Sequence, residues 1–200
     1  MQREHQKNKP ESDYALLGAA PMPKSKRDFV NDGQYLAQVT AVKKRRSVNP
    51  ANLGELMTII ELTIVEVIQH KVYQARDRDG ELVEKCSNLP GDLCTQVIKH
   101  SWSNSFSKVK GFLAAAMNLS ASNMLQLEKD PASWPMLMER AVYVGGEIPE
   151  GFEAFDDDPC VPQPLAGARV RVVAKTEPQK KNPKADFTNI EYLADDRGEG

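Results

Sequence analysis

Two groups of cations are the residues of this chain best suited to chemistry: Lys43-Lys44-Arg45-Arg46, and Lys180, Lys181 and Lys184 in the segment TEPQKKNPKAD. Between them in sequence, Arg169, Arg171 and Lys175 recur at odd positions of one apolar run. Lysine and arginine neutralise phosphates and release their condensed counterions, and arginine adds a planar fork that grips phosphate and stacks on flat rings. Two aromatics stand where exposure is expected. Trp102 lies in the polar run His100-Ser101-Trp102-Ser103-Asn104, where it either faces solvent or anchors a following helix, and Phe187 follows the second basic group. An exposed ring can stack on an unpaired base without reading its identity. Tyr35 and Trp134, by contrast, fall on apolar faces and read as core.

Other chemistries find less support. His70, Cys86, Cys94, His100 and Cys160 contain no C-x-x-C and no H-x-x-x-H spacing, so no metal centre is expected. Three scattered cysteines suit reduced thiols. Asp156-Asp157-Asp158 has the charge to hold Mg2+ in a small nuclease, an alternative reading. Consecutive carboxylates in a proline-rich loop, however, lack the rigid elements that normally carry metal ligands. No phosphate-binding or dinucleotide glycine motif and no nucleophile-elbow motif occurs. The expectation is a protein without catalytic site or cofactor.

These side chains need elements to position them. The 200 residues carry a net charge of −2, but the charge is segregated. Residues 1–54 hold ten Lys/Arg against five Asp/Glu, residues 166–193 hold six against three, and residues 147–165 hold six acidic side chains and no basic one. That acidic segment (Glu147, Glu150, Glu153, Asp156, Asp157, Asp158) reads as a solvated loop, with a DNA competitor or a docking site for partners as alternatives. Residues 1–28 are too polar to offset their ordering entropy and read as a disordered tail. The N-terminus lacks the apolar stretch of a signal peptide, and no apolar run approaches membrane-spanning length, so a cytoplasmic protein without membrane contact is expected.

Period-two alternation marks strands at Tyr35–Val42, Glu55–Ile68, Leu93–Lys99, Ala168–Lys175 and Asp186–Leu193. Asp77–Gly80 reads as a hairpin tip between short strands. Phe106, Val109, Leu113 and Met117 follow helical spacing, with Ser105 as the expected N-cap and Gly111 marking a close packing contact. Ser120 is placed to cap a second helix, and Ser133–Tyr143 adds further helical turns. The order is three strands, a helical block over about 104–144, then two strands. The expected fold is therefore mainly β with a helical insertion (α+β): a five-stranded oligonucleotide-binding barrel over residues 29–194, followed by a short acidic tail at 195–200. Such a barrel grips its ligand with the connections between strands 1 and 2 and between strands 4 and 5. Both basic groups are expected in those loops.

With these residues in view, the chain resembles the single-stranded-DNA-binding proteins that bacteriophages encode beside their replication and recombination genes. The similar stretches are GQYLAQVTAVKKRR, ELMTIIELTIVEVI, FSKVKGFLAAAMNL and GARVRVVAKTEPQKKNPKADFTNIEYL, covering about residues 30–194. The resemblance implies an oligonucleotide-binding fold that coats exposed single strands in the host cytoplasm. It carries over Lys43–Arg46, Arg169, Arg171 and Lys180–Lys184 as contacts to DNA. Phage or host replication and recombination proteins are the implied further partners, and self-association stays open. Where members of such families end in an acidic tail tipped by an apolar residue, this chain ends Ala194-Asp195-Asp196-Arg197-Gly198-Glu199-Gly200, without that tip. The alternative from the residues themselves is a barrel used as a protein-interaction or virion accessory module, its basic groups serving solubility.

Overall fold

The structure is a computed structural model that describes residues 28–77, 80–130, 132–141, 164–179 and 185–196. Its strands, in chain order, are β1 (Asp28–Phe29), β2 (Gly33–Arg46), β3 (Leu56–Gln69), β4 (Val72–Arg76), β5 (Leu82–Cys86), β6 (Leu93–Lys99), β7 (Arg169–Pro178) and β8 (Asp186–Ala194). Helices α1 (Ser105–Ala116), α2 (Ala121–Lys129) and α3 (Ser133–Ala141) fall between β6 and β7. The main sheet runs β1-β6-β3-β2-β7-β8, antiparallel throughout except that β1 adds to β6 in parallel. Strands β4 and β5 form a separate antiparallel hairpin. Among the described residues no helix is long and apolar enough to cross a membrane.

Alternation decides which face each strand buries. Ile60, Leu62 and Ile64 of β3 point inward with Tyr35, Ala37 and Val39 of β2 and with Val170, Val172 and Ala174 of β7. Helix α1 lays Val109, Phe112 and Leu113 over this face, and Phe112 meets Tyr192 of β8 edge-on at 5.0 Å. Thr58 interrupts the apolar row of β3. It is buried, but its hydroxyl is paired with His100 Nε2 at 2.9 Å, which offsets the cost of desolvating it. Irregularities near Gln34, Leu36 and Val39 coil β2, which pairs with β7 through its first half and with β3 along its length.

The expected barrel is not closed. Strands β6 and β8 are not paired in the sheet, and β1 occupies part of the β6 edge, with Asp28 opposite Cys94 and Phe29 opposite Thr95. A side-chain bond, from the buried Tyr192 hydroxyl to Gln96 Oε1 (2.6 Å), links the two strands instead. The hairpin β4–β5 stands beside the gap and is tied down by Asp32. The Asp32 carboxylate pairs with Lys71 Nζ (2.8 Å) and accepts from the Thr176 backbone N–H (2.9 Å), while its backbone carbonyl accepts from Ser87 Oγ (2.6 Å). Glycine is needed next door: a Cβ at Gly33 would stand 2.6 Å from the Tyr35 hydroxyl and 2.7 Å from Ser87 Oγ.

Helix details depart from expectation in two places. Helix α1 begins at Ser105, with Asn104 at the cap position, and the Ser105 hydroxyl donates back to the His100 carbonyl (3.2 Å). Gly111 is exposed, and a Cβ there would meet nothing within 4 Å, so it marks no close packing. Ser120 does cap α2, accepting from the Asn123 N–H at 3.2 Å. The expected tail falls almost wholly outside the described residues, as do Cys160 and Asp156–Asp158, with nearly all of the acidic segment 147–165.

Candidate nucleic-acid interface

Where β6 runs on beyond its pairing with β1 without reaching β8 lies a cleft of about 650 Å3. Its walls come from β1, the β4–β5 hairpin, β6, the start of α1 and β8. Phe29, Trp102 and Phe187 line it with much of their surface still open, at 72%, 44% and 40% exposure. Four cations line the same space: Arg76, Lys85, Lys99 and Lys108. Among the described lining residues Asp186 is the one carboxylate, and it accepts the Arg76 backbone N–H, which fastens the hairpin to β8.

Each cation is held by its element. Lys99 ends β6 and pairs with Glu55 Oε2 at 3.3 Å. Arg76 ends β4, its guanidinium donating to the Gly80 carbonyl (3.0 Å) at the hairpin tip. Lys108 sits in the first turn of α1 with Nζ donating to Asn189 Oδ1 (3.1 Å), and burial lowers its pKa. A partly desolvated ammonium gains more from an incoming phosphate than one left in water. Cations and open rings at this spacing suit phosphates joined by unstacked bases.

Strand geometry overturns the expectation that Lys43–Arg46 form a loop. They are the end of β2, paired with Leu56–Ile59, and the connection to β3 is residues 47–55. Successive side chains of a strand alternate, so the run is divided. Lys43 and Arg45 share one face, and Arg45, Met57 and Lys99 form a cross-strand row that reaches the cleft wall, roughly 10 Å across two strand spacings. Lys43 Nζ meets Glu61 Oε1 at 3.2 Å. Lys44 and Arg46 turn to the helix side, where the Arg46 guanidinium donates to the Gly54 carbonyl (3.0 Å).

The remaining predicted residues divide as follows. Arg169, Arg171 and Lys175 lie on the outward face of β7, as their alternation requires. Arg171 contacts Asp196 at 3.4 Å and Lys175 contacts Glu177 at 2.6 Å. Trp102 and Phe187, some 85 residues apart in sequence, are brought into one cleft. Lys180, Lys181 and Lys184 fall outside the described residues. Sequence reasoning missed Phe29, Arg76, Lys85, Lys99 and Lys108. Of these, Lys99 carried a signal, being a cation at the end of a recognised strand and three residues before Trp102.

A second hollow, of about 660 Å3, opens between the helices and the ends of β2 and β3. Leu56, Phe106, Leu127, Trp134, Pro135 and Met138 make it largely apolar. Its carboxylates serve the fold: Glu128 accepts from Lys110 Nζ (2.7 Å) and Trp134 Nε1 (3.0 Å), and Asp130, at the end of α2, holds the turn into α3 by accepting from the Ala132 N–H and the Ser133 hydroxyl. Lys110 also lies 4.9 Å over the Trp134 ring. This lining offers little to a phosphate backbone.

No protein-family model matches the chain, and no curated protein matches its sequence. The functional reading therefore rests on the cleft.

Proposed function

We propose that the chain binds single-stranded DNA without reading its sequence, coating and protecting strands exposed during phage DNA replication or recombination. The observation that carries this reading is the cleft between β6 and β8, where three open aromatic rings and four cations converge on one space. Bases stack on the rings while the cations neutralise the backbone. Base-edge recognition in duplex DNA calls for a protruding helix or ribbon, whereas here the rings line a recess. The finer fold reading accords with this. Strand order β6-β3-β2-β7-β8, with helices between β6 and β7, is the order of an oligonucleotide-binding barrel opened between its third and fifth strands.

The test is fluorescence anisotropy with labelled oligothymidylate, a duplex of equal length and an RNA of equal length, over a salt series. With four phosphates neutralised, log K should fall against log salt with a slope of about −3 on the single strand. Tighter binding to duplex, or a salt-independent affinity, would sink the proposal. The second reading, a protein-interaction or virion accessory module, is favoured by one observation, the apolar hollow beneath the helices. It expects no retention on single-stranded-DNA cellulose at low salt.

A further inference from the structure

The cleft does not end at Lys108. A groove of about 350 Å3 runs on between α1 and β8, and Lys108 and Ile190 line both spaces. Along β8, Phe187, Asn189 and Glu191 are exposed on one face, so a ligand stacked on Phe187 meets Asn189 about 7 Å further on. Across from them α1 presents Asn104, Ser107 and Gly111, all exposed. Because Gly111 has no side chain and nothing within 4 Å of its Cβ position, the groove stays open there. Asn189 is paired in register with Lys175 of β7, and Leu193, further along the same face of β8, with Arg171. The groove thus leads from the cleft toward the outward cations of β7. Their contacts with Glu177 and Asp196 are exposed ion pairs, which a phosphate can replace at little cost.

Resting on the single-strand reading above, we infer that the strand leaves the cleft through this groove. Its backbone crosses Lys108, passes between Gly111 and Asn189, and reaches Lys175 and Arg171 on the outward face of β7. The ligand of the groove is a phosphodiester backbone, hydrogen-bonded by the Asn104 and Asn189 amides and the Ser107 hydroxyl. Glu191, the carboxylate of the groove, lies opposite the outer β7 residue Val173 and favours a strand that turns toward the β7 cations.

The experiment uses the full chain and two oligothymidylates, one of about 6 nucleotides that fills the cleft and one of about 20 that extends beyond it. Gly111→Gln puts a side chain into the groove at an exposed helical position where the fold has room for it. It should weaken the long strand about tenfold and leave the short one within about twofold. Ser107→Glu should act in the same direction, and Ser107→Lys should tighten the long strand only. Unchanged affinity for both lengths in all three variants would overturn the path while leaving the cleft intact. Equal weakening at both lengths would also overturn it, since the groove would then not be a separate part of the route. If the unaltered protein binds neither length, the single-strand reading fails, and this inference with it.

Discussion

Two hollows of nearly equal volume, about 650 and 660 Å3, lie to either side of the end of β6, and they differ in almost everything else. The cleft between β6 and β8 is built where backbone pairing stops. Its rings are open to solvent, and among its described lining residues the cations outnumber the carboxylate. The hollow under the helices is built where packing is incomplete. Its ring Phe106 is exposed too, tilted against His100 at 5.2 Å, but its carboxylates are consumed by a turn between helices and an ion pair. Residues 99–102 separate the two: Lys99 and Trp102 line the cleft, and His100 lines the hollow. Volume therefore says little about function here, and the state of the charges says a good deal.

The largest expected effect removes charge from the cleft. Lys85→Ala, Lys99→Ala and Lys108→Ala combined should reduce single-strand affinity by tenfold or more and flatten the salt slope by about 2. Lys44→Ala at the other hollow should leave both quantities nearly unchanged. Salt titrations on the two proteins, with circular dichroism to verify folding, make the comparison. Equal losses would erase the distinction between the two hollows.

Next in size are the rings. Trp102→Ala and Phe187→Ala should each cost about 1–3 kcal/mol of binding, with the salt slope preserved, because stacking releases no counterions. Phe106→Ala, which removes a ring that is 57% exposed at the apolar hollow, should leave DNA affinity unaltered. Its ring lies 5.2 Å from that of His100, so a modest loss of thermal stability is the expected signature there.

A smaller effect probes the seam itself. Tyr192→Phe deletes the hydroxyl that reaches Gln96 and leaves a buried amide oxygen without this donor, at a cost of about 1–3 kcal/mol in a denaturant melt. Strands β6 and β8 have no ladder to take over, so the variant should also bind single strands more weakly than its stability alone explains. Unchanged affinity in a destabilised but folded variant would mean that the seam bond serves the core and not the cleft.

What sequence could tell follows from what is local. All five long strands were legible, because one buried face imposes period two on Ile60, Leu62 and Ile64 and on Val170, Val172 and Ala174. The same locality misplaced Lys43–Arg46. Four adjacent cations look like a loop, yet pairing with Leu56–Ile59 carries β2 through them, and side-chain alternation divides them between two faces. The cleft was legible only in fragments. Trp102 and Phe187 stood out as aromatics in polar company, whereas Phe29, Arg76, Lys85 and Lys108 are single residues of four separate elements. Their convergence depends on an open seam between β6 and β8, and strand order alone argues for that seam to be closed.

The smallest expected effect is a pH dependence confined to the apolar hollow. Burial, and then the charge of Lys44, hold the pKa of His100 below its ordinary 6.5. Below pH 6.5 the unfolded chain therefore binds a proton that the folded chain resists, and stability declines as pH falls from 6.5 through the lowered folded value. Thermal melts at pH 7 and pH 5 should show a smaller drop for His100→Asn than for the unaltered protein. Lys44→Met removes the second cause only and should fall between them. Single-strand affinity, if the proposed cleft supplies it, should not follow this titration, because His100 does not line the cleft. If binding and melting temperature moved together with the protonation of His100, residues 99–102 would be coupling the two hollows rather than dividing them.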